Sequence, residues 1–218
     1  MRNQITILSH GFNKSFEDMS YLSDGLSHHG VNNIIVNLPI TFKSLNDCLN
    51  SLHVQIYDIV KKNNINFIGH SMGGLIIRSY INKWKLENVN RCIFIATPHL
   101  GSKLAKISGC IPFYEDIFKP IKDLKPSVEN KYLLINKNIE IGLIVGSKNS
   151  TFLGNIFLSA ESDGRVEIKS ALSSDAKDAI ILPYGHKEIH HKEETLNQVN
   201  FFLINGMFHE NNRKHNFT

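Results

Sequence analysis

The chain has 218 residues, of which 42% are hydrophobic and 20% are charged, and this balance excludes a disordered or collagen-like protein. Its 24 basic and 20 acidic residues leave a net charge of +4 without a basic block, so we expect no nucleic-acid partner. Three scattered cysteines exclude a disulfide framework. With neither a leader-like N-terminus nor a long apolar run, we expect a cytoplasmic protein, and nothing indicates membrane contact.

Strand-like apolar runs alternate with amphipathic helical patterns along most of the chain. The predicted strands lie at residues 4–9, 33–38, 65–68, 91–96, 139–145 and 179–182. The predicted helices lie at residues 16–29, 45–60, 74–84 and about 192–203. This alternation is typical of an α/β protein with a mostly parallel sheet and helices on both faces.

The alternation stops between about residues 101 and 130, where three prolines divide short apolar pieces. We interpret this segment as an insertion within a single domain that spans residues 1–208. Its main apolar residues are spaced so that a helix would gather them on one face; they are Phe113, Ile117, Phe118 and Ile121. Residues 209–218 are predicted to form a polar C-terminal tail.

A G-x-S-x-G motif at residues 69–73 lies between a predicted strand and a predicted helix. Its glycines, Gly69 and Gly73, allow a sharp turn that lifts the hydroxyl of Ser71 above the sheet edge. The N-terminus of the following helix favours negative charge at that point. The motif therefore predicts that Ser71 is a nucleophile.

A nucleophilic serine needs a histidine as its base. The chain has 11 histidines, and His186 lies between the last predicted strand and the final helix, at the edge where the parallel strands end. This position favours His186 as the base. His190 and His191, at the start of the helix, are the alternative bases. A competing interpretation is that both are surface residues in contact with solvent.

The base needs a carboxylate that orients its ring. Asp163 follows the strand at 139–145 and precedes His186, which gives the chain order serine, aspartate, histidine. Glu161 is the alternative acid. A further turn at His10-Gly11-Phe12 ends the first strand, and there we expect the main-chain N–H groups of Phe12 and Met72 to form an oxyanion hole.

Together these segments resemble the lipase and serine-esterase branch of the α/β-hydrolase superfamily. The motifs are H-G-F at 10–12, G-H-S-M-G-G at 69–74, T-P-H-L-G-S at 97–102, S-D-G-x-V at 162–166 and G-H at 185–186. The resemblance implies a triad of Ser71, Asp163 and His186, without a metal or cofactor. It also implies a minimal sheet of about six strands and a short cap that follows the T-P-H-L-G-S segment at the mouth of the site. The apolar face of the cap would lie on that mouth, on a membrane or on a partner. Because no basic cluster accompanies the face, we expect it at the mouth, with Phe113, Ile117, Phe118 and Ile121 as substrate-binding residues.

These observations predict a hydrolase that cleaves carboxylic esters through an acyl-enzyme intermediate. The apolar cap favours a small-molecule acyl ester or a lipid as substrate. An acyltransferase or a thioesterase would use the same triad and is the alternative. A non-catalytic binding protein with this fold is the alternative from another class, and the sequence gives no indication of the oligomeric state.

Overall fold

The computed structural model describes residues 3–101, 135, 138–149, 158 and 161–209. The four predicted cap residues and nearly all of the predicted tail lie outside these ranges. Among the described residues, no helix has the length and apolar character that crossing a bilayer requires.

Six strands form one sheet in which every neighbouring pair is parallel. They are β1 (Gln4–Ser9), β2 (Asn33–Val36), β3 (Asn64–His70), β4 (Val89–Ile95), β5 (Glu140–Gly146) and β6 (Asp178–Leu182). Their spatial order is β2-β1-β3-β4-β5-β6. The chain therefore passes from β1 to one side of the sheet and then returns to the other side at β3. Ligands bind at the carboxyl ends of the strands beside such a reversal.

Helices cover both faces of the sheet. They are α1 (Ser20–His28), α2 (Leu45–Lys62), α3 (Met72–Trp84), α4 (Ile168–Ala171) and α5 (Glu193–Asn205). Short 3₁₀ helices lie at Phe16–Met19 and Ile189–His191. One core cluster contains buried residues of α2 and α3, and a second contains those of α1 and α5. Successive strand residues alternate between the two clusters, as Phe94 and Ile95 do, because side chains along a strand point to opposite faces.

Several boundaries differ from the predicted ones for local reasons. The second strand ends at Val36 rather than residue 38, because the N–H of Leu38 donates to the side chain of His10 at 3.2 Å instead of to a strand. The first helix begins at Ser20 because residues 16–19 form a 3₁₀ turn. The last helix extends to Asn205, where Gly206 adopts a left-handed conformation and ends it. The short α4 was not predicted.

Phe202 of α5 gives a test of the second core cluster. Its side chain is fully buried, and its ring packs over Gly142 of β5. Phe202→Ala should lower the free energy of unfolding by about 3–5 kcal/mol, because the lost ring leaves a cavity. Ile204 lies two residues away and is 65% exposed, so Ile204→Ala should change that energy by less than about 0.5 kcal/mol. Urea denaturation followed by circular dichroism measures both; equal losses would contradict the packing described.

Candidate active site

The carboxyl ends of the strands bring together the segments that carry the predicted site. Ser71 directly follows β3, Asp163 lies in the segment after β5, and His186 lies four residues after β6. The β1 and β3 strands are paired so that Ser9 is opposite Gly69, and their following loops therefore leave the sheet at the same level. All three predicted side chains are buried.

The three predicted side chains form a continuous chain of hydrogen bonds. The Nδ1 atom of His186 lies 2.7 Å from Oδ2 of Asp163, and its Nε2 atom lies 2.9 Å from Oγ of Ser71. An ionised carboxylate only accepts, so Nδ1 carries the ring proton when the imidazole is neutral. Nε2 then has a free lone pair that accepts the hydrogen of the Ser71 hydroxyl. This tautomer is the one that a general base needs.

Asp163 is held on its other side by the main chain. Its Oδ1 atom accepts the N–H groups of Arg165 at 2.9 Å and Val166 at 2.7 Å, which leaves Oδ2 for His186. The peptide oxygen of Asp163 also accepts the N–H of His186 at 2.9 Å. The acid and the base are therefore joined through both side chain and main chain. Glu161, the alternative acid, is exposed.

Ser71 occupies a strained turn. Its φ of 53° and ψ of −123° lie in a region that residues with a side chain rarely adopt. A Cβ atom at Gly73 would lie 2.4 Å from the main-chain oxygen of His10, and one at Gly74 would lie 2.2 Å from Oγ1 of Thr97. The start of α3 therefore fits against the neighbouring strand ends only because both positions lack side chains.

The predicted oxyanion donors lie on the two segments that meet at Ser71. Met72 is the first residue of α3, so its main-chain N–H has no acceptor within the helix. A Cβ atom at Gly11 would lie 3.0 Å from Cβ of Ser71, so the loop that carries Phe12 passes directly over the serine. This arrangement is compatible with the predicted role of both N–H groups.

The alternative bases make other contacts. The Nε2 atom of His190 lies 2.9 Å from Oδ2 of Asp18, and that of His191 donates to the main-chain oxygen of Asp18 at 2.9 Å. The interpretation of His190 as solvated is wrong, because its side chain is fully buried. Asp18, the residue that these two histidines contact, was not predicted from the sequence, because no local motif marks it.

Buried histidines give the fold a sensitivity to acid. Burial lowers the pKa of His10 and His190, and it lowers the pKa of His70 and His99 well below its usual value. In the unfolded chain the same groups bind protons below pH of about 6.5. The unfolded state therefore binds more protons than the folded state as pH falls, and the free energy of unfolding decreases.

We expect this loss to begin near pH 6.5 and to reach at most about 1.4 kcal/mol per pH unit for each such histidine. Urea denaturation at about pH 7.5, 6.5 and 5.5 measures it above the range in which carboxylates titrate. His99→Phe should reduce the slope by one histidine's share, whereas His28→Gln, at an exposed position, should leave it unchanged. A free energy of unfolding that is constant over this pH range would show that these histidines bind protons equally well in the folded and unfolded states.

Comparison with solved structures identifies the fold. The Bacillus licheniformis lipase BlEst2 in mature form is 19% identical, with a TM-score of 0.75 over 93% of this chain and 91% of that one. Est1E from Butyrivibrio proteoclasticus is 15% identical, with a TM-score of 0.66 over 94% and 88%. Phospholipase PlaB from Legionella pneumophila is 19% identical, with a TM-score of 0.61 over 78% and 46%. The predicted α/β-hydrolase fold, with six parallel strands, is confirmed.

The sequence itself also matches a known family. No curated protein sequence gives a significant match to the chain. A sequence profile of the palmitoyl protein thioesterase family, however, matches residues 6–139, more than half of the chain. The matched region contains the whole turn around Ser71, whereas Asp163 and His186 follow it. The chain therefore belongs to the palmitoyl protein thioesterase family.

Proposed function

We propose that the chain is a serine hydrolase that cleaves carboxylic esters. The observation that carries the proposal is the hydrogen-bond chain from the Ser71 hydroxyl through His186 to Asp163, with distances of 2.9 and 2.7 Å. Each group has the partner that its role requires: a nucleophile beside a base, and a base beside a carboxylate.

The first half of the reaction forms an acyl-enzyme. Oγ of Ser71 bonds to the carbonyl carbon of the substrate while its proton passes to Nε2 of His186, and Asp163 stabilises the resulting imidazolium. The main-chain N–H groups of Phe12 and Met72 stabilise the negative charge on the carbonyl oxygen. His186 then donates its proton to the leaving alkoxide, which departs as an alcohol.

The second half repeats these steps with water. His186 takes a proton from a water molecule as its oxygen attacks the acyl carbon, and the proton then returns to Oγ of Ser71. The carboxylic acid leaves and the starting hydroxyl is restored. His186 carries out every proton transfer in the cycle, so the proposed reaction requires no cofactor.

An acyl ester or a lipid is the proposed substrate class. Two of the proteins with similar structures are named as a lipase and a phospholipase, which supports an acyl group in the substrate. We also propose that the cap binds the acyl group through Phe113, Ile117, Phe118 and Ile121. An ester series from p-nitrophenyl acetate to palmitate measures the preferred acyl length.

Thioester hydrolysis is a second candidate, and the family match favours it. A thioester would give the same acyl-enzyme on Ser71, and only the leaving group would differ. Comparing kcat/KM for a p-nitrophenyl ester and an acyl thioester of equal acyl length distinguishes the two reactions. A preference for the thioester would assign the chain to this second activity.

Removal of the proposed nucleophile is the most direct test. Ser71→Ala should lower kcat by about 10⁴- to 10⁶-fold, because the acyl-enzyme can no longer form. A fluorophosphonate probe should label the unaltered protein and not the variant, whereas a purely binding protein would not be labelled at all. Ser79→Ala changes a buried serine within α3 and should leave labelling intact. A folded Ser71→Ala protein with more than about a tenth of the activity would refute the proposal.

The proposed acid has a matched neighbour. Asp163→Asn keeps the shape of the side chain but loses its charge, so it should lower kcat by about 10⁴-fold with little change in KM. Glu161→Gln, two residues earlier and exposed, should have little effect. Steady-state kinetics of both variants on one p-nitrophenyl ester make the comparison. The opposite ranking would move the acid to Glu161.

A further inference from the structure

A second group of histidines lies behind the proposed base. His70 ends β3 and immediately precedes Ser71, and its Nε2 atom lies 3.1 Å from the main-chain oxygen of His186. Because a carbonyl oxygen only accepts, Nε2 of His70 carries the proton and donates it to this bond. The strand that carries the nucleophile is thereby bonded to the main chain of the base.

His70 in turn packs on a buried histidine, and a carboxylate holds that histidine. The ring of His190 stacks on that of His70, with a centroid distance of 3.8 Å and an angle of 25° between the planes. Nε2 of His190 donates to Oδ2 of Asp18 at 2.9 Å. Asp18 also forms an ion pair with Lys14 at 2.5 Å, and its main-chain oxygen accepts a hydrogen bond from His191.

These contacts connect three segments that each contribute to the proposed reaction. Asp18 follows the loop with the predicted oxyanion donor Phe12, His70 precedes the nucleophile, and His190 lies four residues after the base. The three segments lie at or beyond the ends of different strands, β1, β3 and β6, and are far apart in the sequence. Among the described residues, this side-chain network joins all three.

The ionisation states of Asp18, His190 and His70 are compatible with a hydrogen-bonded network beside the proposed base. Burial opposes ionisation of Asp18, but hydrogen bonds from His190 and Lys14 outweigh it and hold the pKa of Asp18 well below its usual value. Burial lowers the pKa of His70 and of His190, so both rings are neutral near pH 7. The ring of His70 lies 5.1 Å from that of His186, where a second positive charge would oppose formation of the imidazolium.

Asp18, His70 and His190 also each offer one possible metal-ligand atom, and these three atoms lie within 4.8 Å of one another. Two imidazoles and a carboxylate can bind a transition metal. Two observations favour the hydrogen-bonded network instead. Asp18 already has Lys14 and His190 as partners. The stacked rings of His70 and His190 are nearly parallel, so their in-plane lone pairs do not converge on one point.

We propose that Asp18, His190 and His70 are positioning residues that hold the main chain of His186 so that its Nε2 atom faces Ser71. The proposal rests on the proposed function, because it assigns a role within that reaction. His70 bonds directly to His186, and Asp18 and His190 fix the ring of His70 in the orientation that this bond needs.

A pair of substitutions at His70 tests the donor. His70→Phe keeps a ring that can stack on His190 but removes the N–H, so kcat on p-nitrophenyl acetate should fall about 10- to 100-fold, with little change in KM. His70→Gln can place an amide N–H at the same carbonyl and should recover most of that loss. A merely structural residue would instead lose activity only in proportion to the unfolded fraction, which circular dichroism measures on the same samples.

His53 provides the control. It is a partly buried histidine that stacks on Trp84 and shares a hydrogen bond with Tyr80. Tyr80 belongs to the core cluster that contains α2 and α3, on the opposite face of the sheet from α1 and α5. His53→Phe should cost stability and leave kcat per folded molecule unchanged. If His70→Phe does not fold, His190→Leu and His190→Gln make the same comparison, since only glutamine keeps a donor for Asp18.

The outcomes separate this proposal from the proposed function. A folded His70→Phe protein with unaltered kcat, or equal losses in the phenylalanine and glutamine variants, would overturn the network while inactive Ser71→Ala still supported the hydrolase. Active Ser71→Ala would overturn both. Zinc that raises the thermal midpoint and kcat of the unaltered protein, but not of Asp18→Asn, would replace the network with a metal site.

Discussion

The close approach of helix α3 to the ends of two strands is the constraint on which the site depends. Gly73 meets the main chain at the end of β1, and Gly74 meets Thr97 after β4, at distances that leave no room for a side chain. This contact forces Ser71 into its strained conformation, at a cost of about 1–3 kcal/mol. The N–H of Ser71 donates to the oxygen of Ile95 at 2.8 Å, and this bond helps to hold the turn against β4.

The same helix is anchored again two turns further on. Arg78 is almost fully buried, and its guanidinium forms two hydrogen bonds with Asp175, at 2.6 and 3.0 Å. Burial opposes ionisation of Asp175, but the bonds with Arg78 lower its pKa to about 2. Asp175 lies between the segment with Asp163 and strand β6, which leads to His186. This ion pair, fully buried at Arg78 and partly buried at Asp175, thus fixes the nucleophile's helix relative to the segment that supplies the acid and the base, and removing one partner is costly.

The proposed reaction requires only that these segments keep their relative positions, whatever acyl group is bound. This explains how a fold shared with BlEst2, PlaB and Est1E persists at sequence identities of only 15–19%. Membership of a thioesterase family is compatible with the proposed ester hydrolysis, because an ester and a thioester would give the same acyl-enzyme on Ser71. The selection of one substrate over another depends on groups that contact the acyl chain and the leaving group, and such groups vary without disturbing the turn at Ser71.

Local sequence patterns predicted the features of this protein that residues close together in the chain determine, namely the strands and the turn at Ser71. Hydrophobic periodicity predicted all six strands, because burial on one or both faces of a sheet imposes it. Glycine spacing predicted the turn at Ser71, and the order of strand ends selected Asp163 and His186 over their alternatives. The pairing of Asp18 with His190 joins residues 172 positions apart, and only the tertiary structure decided it. A polar residue in a short helix has no local pattern that shows whether it is solvated or buried. That depends on the sheet order and on the packing of α1 against α5, which bring the two segments together.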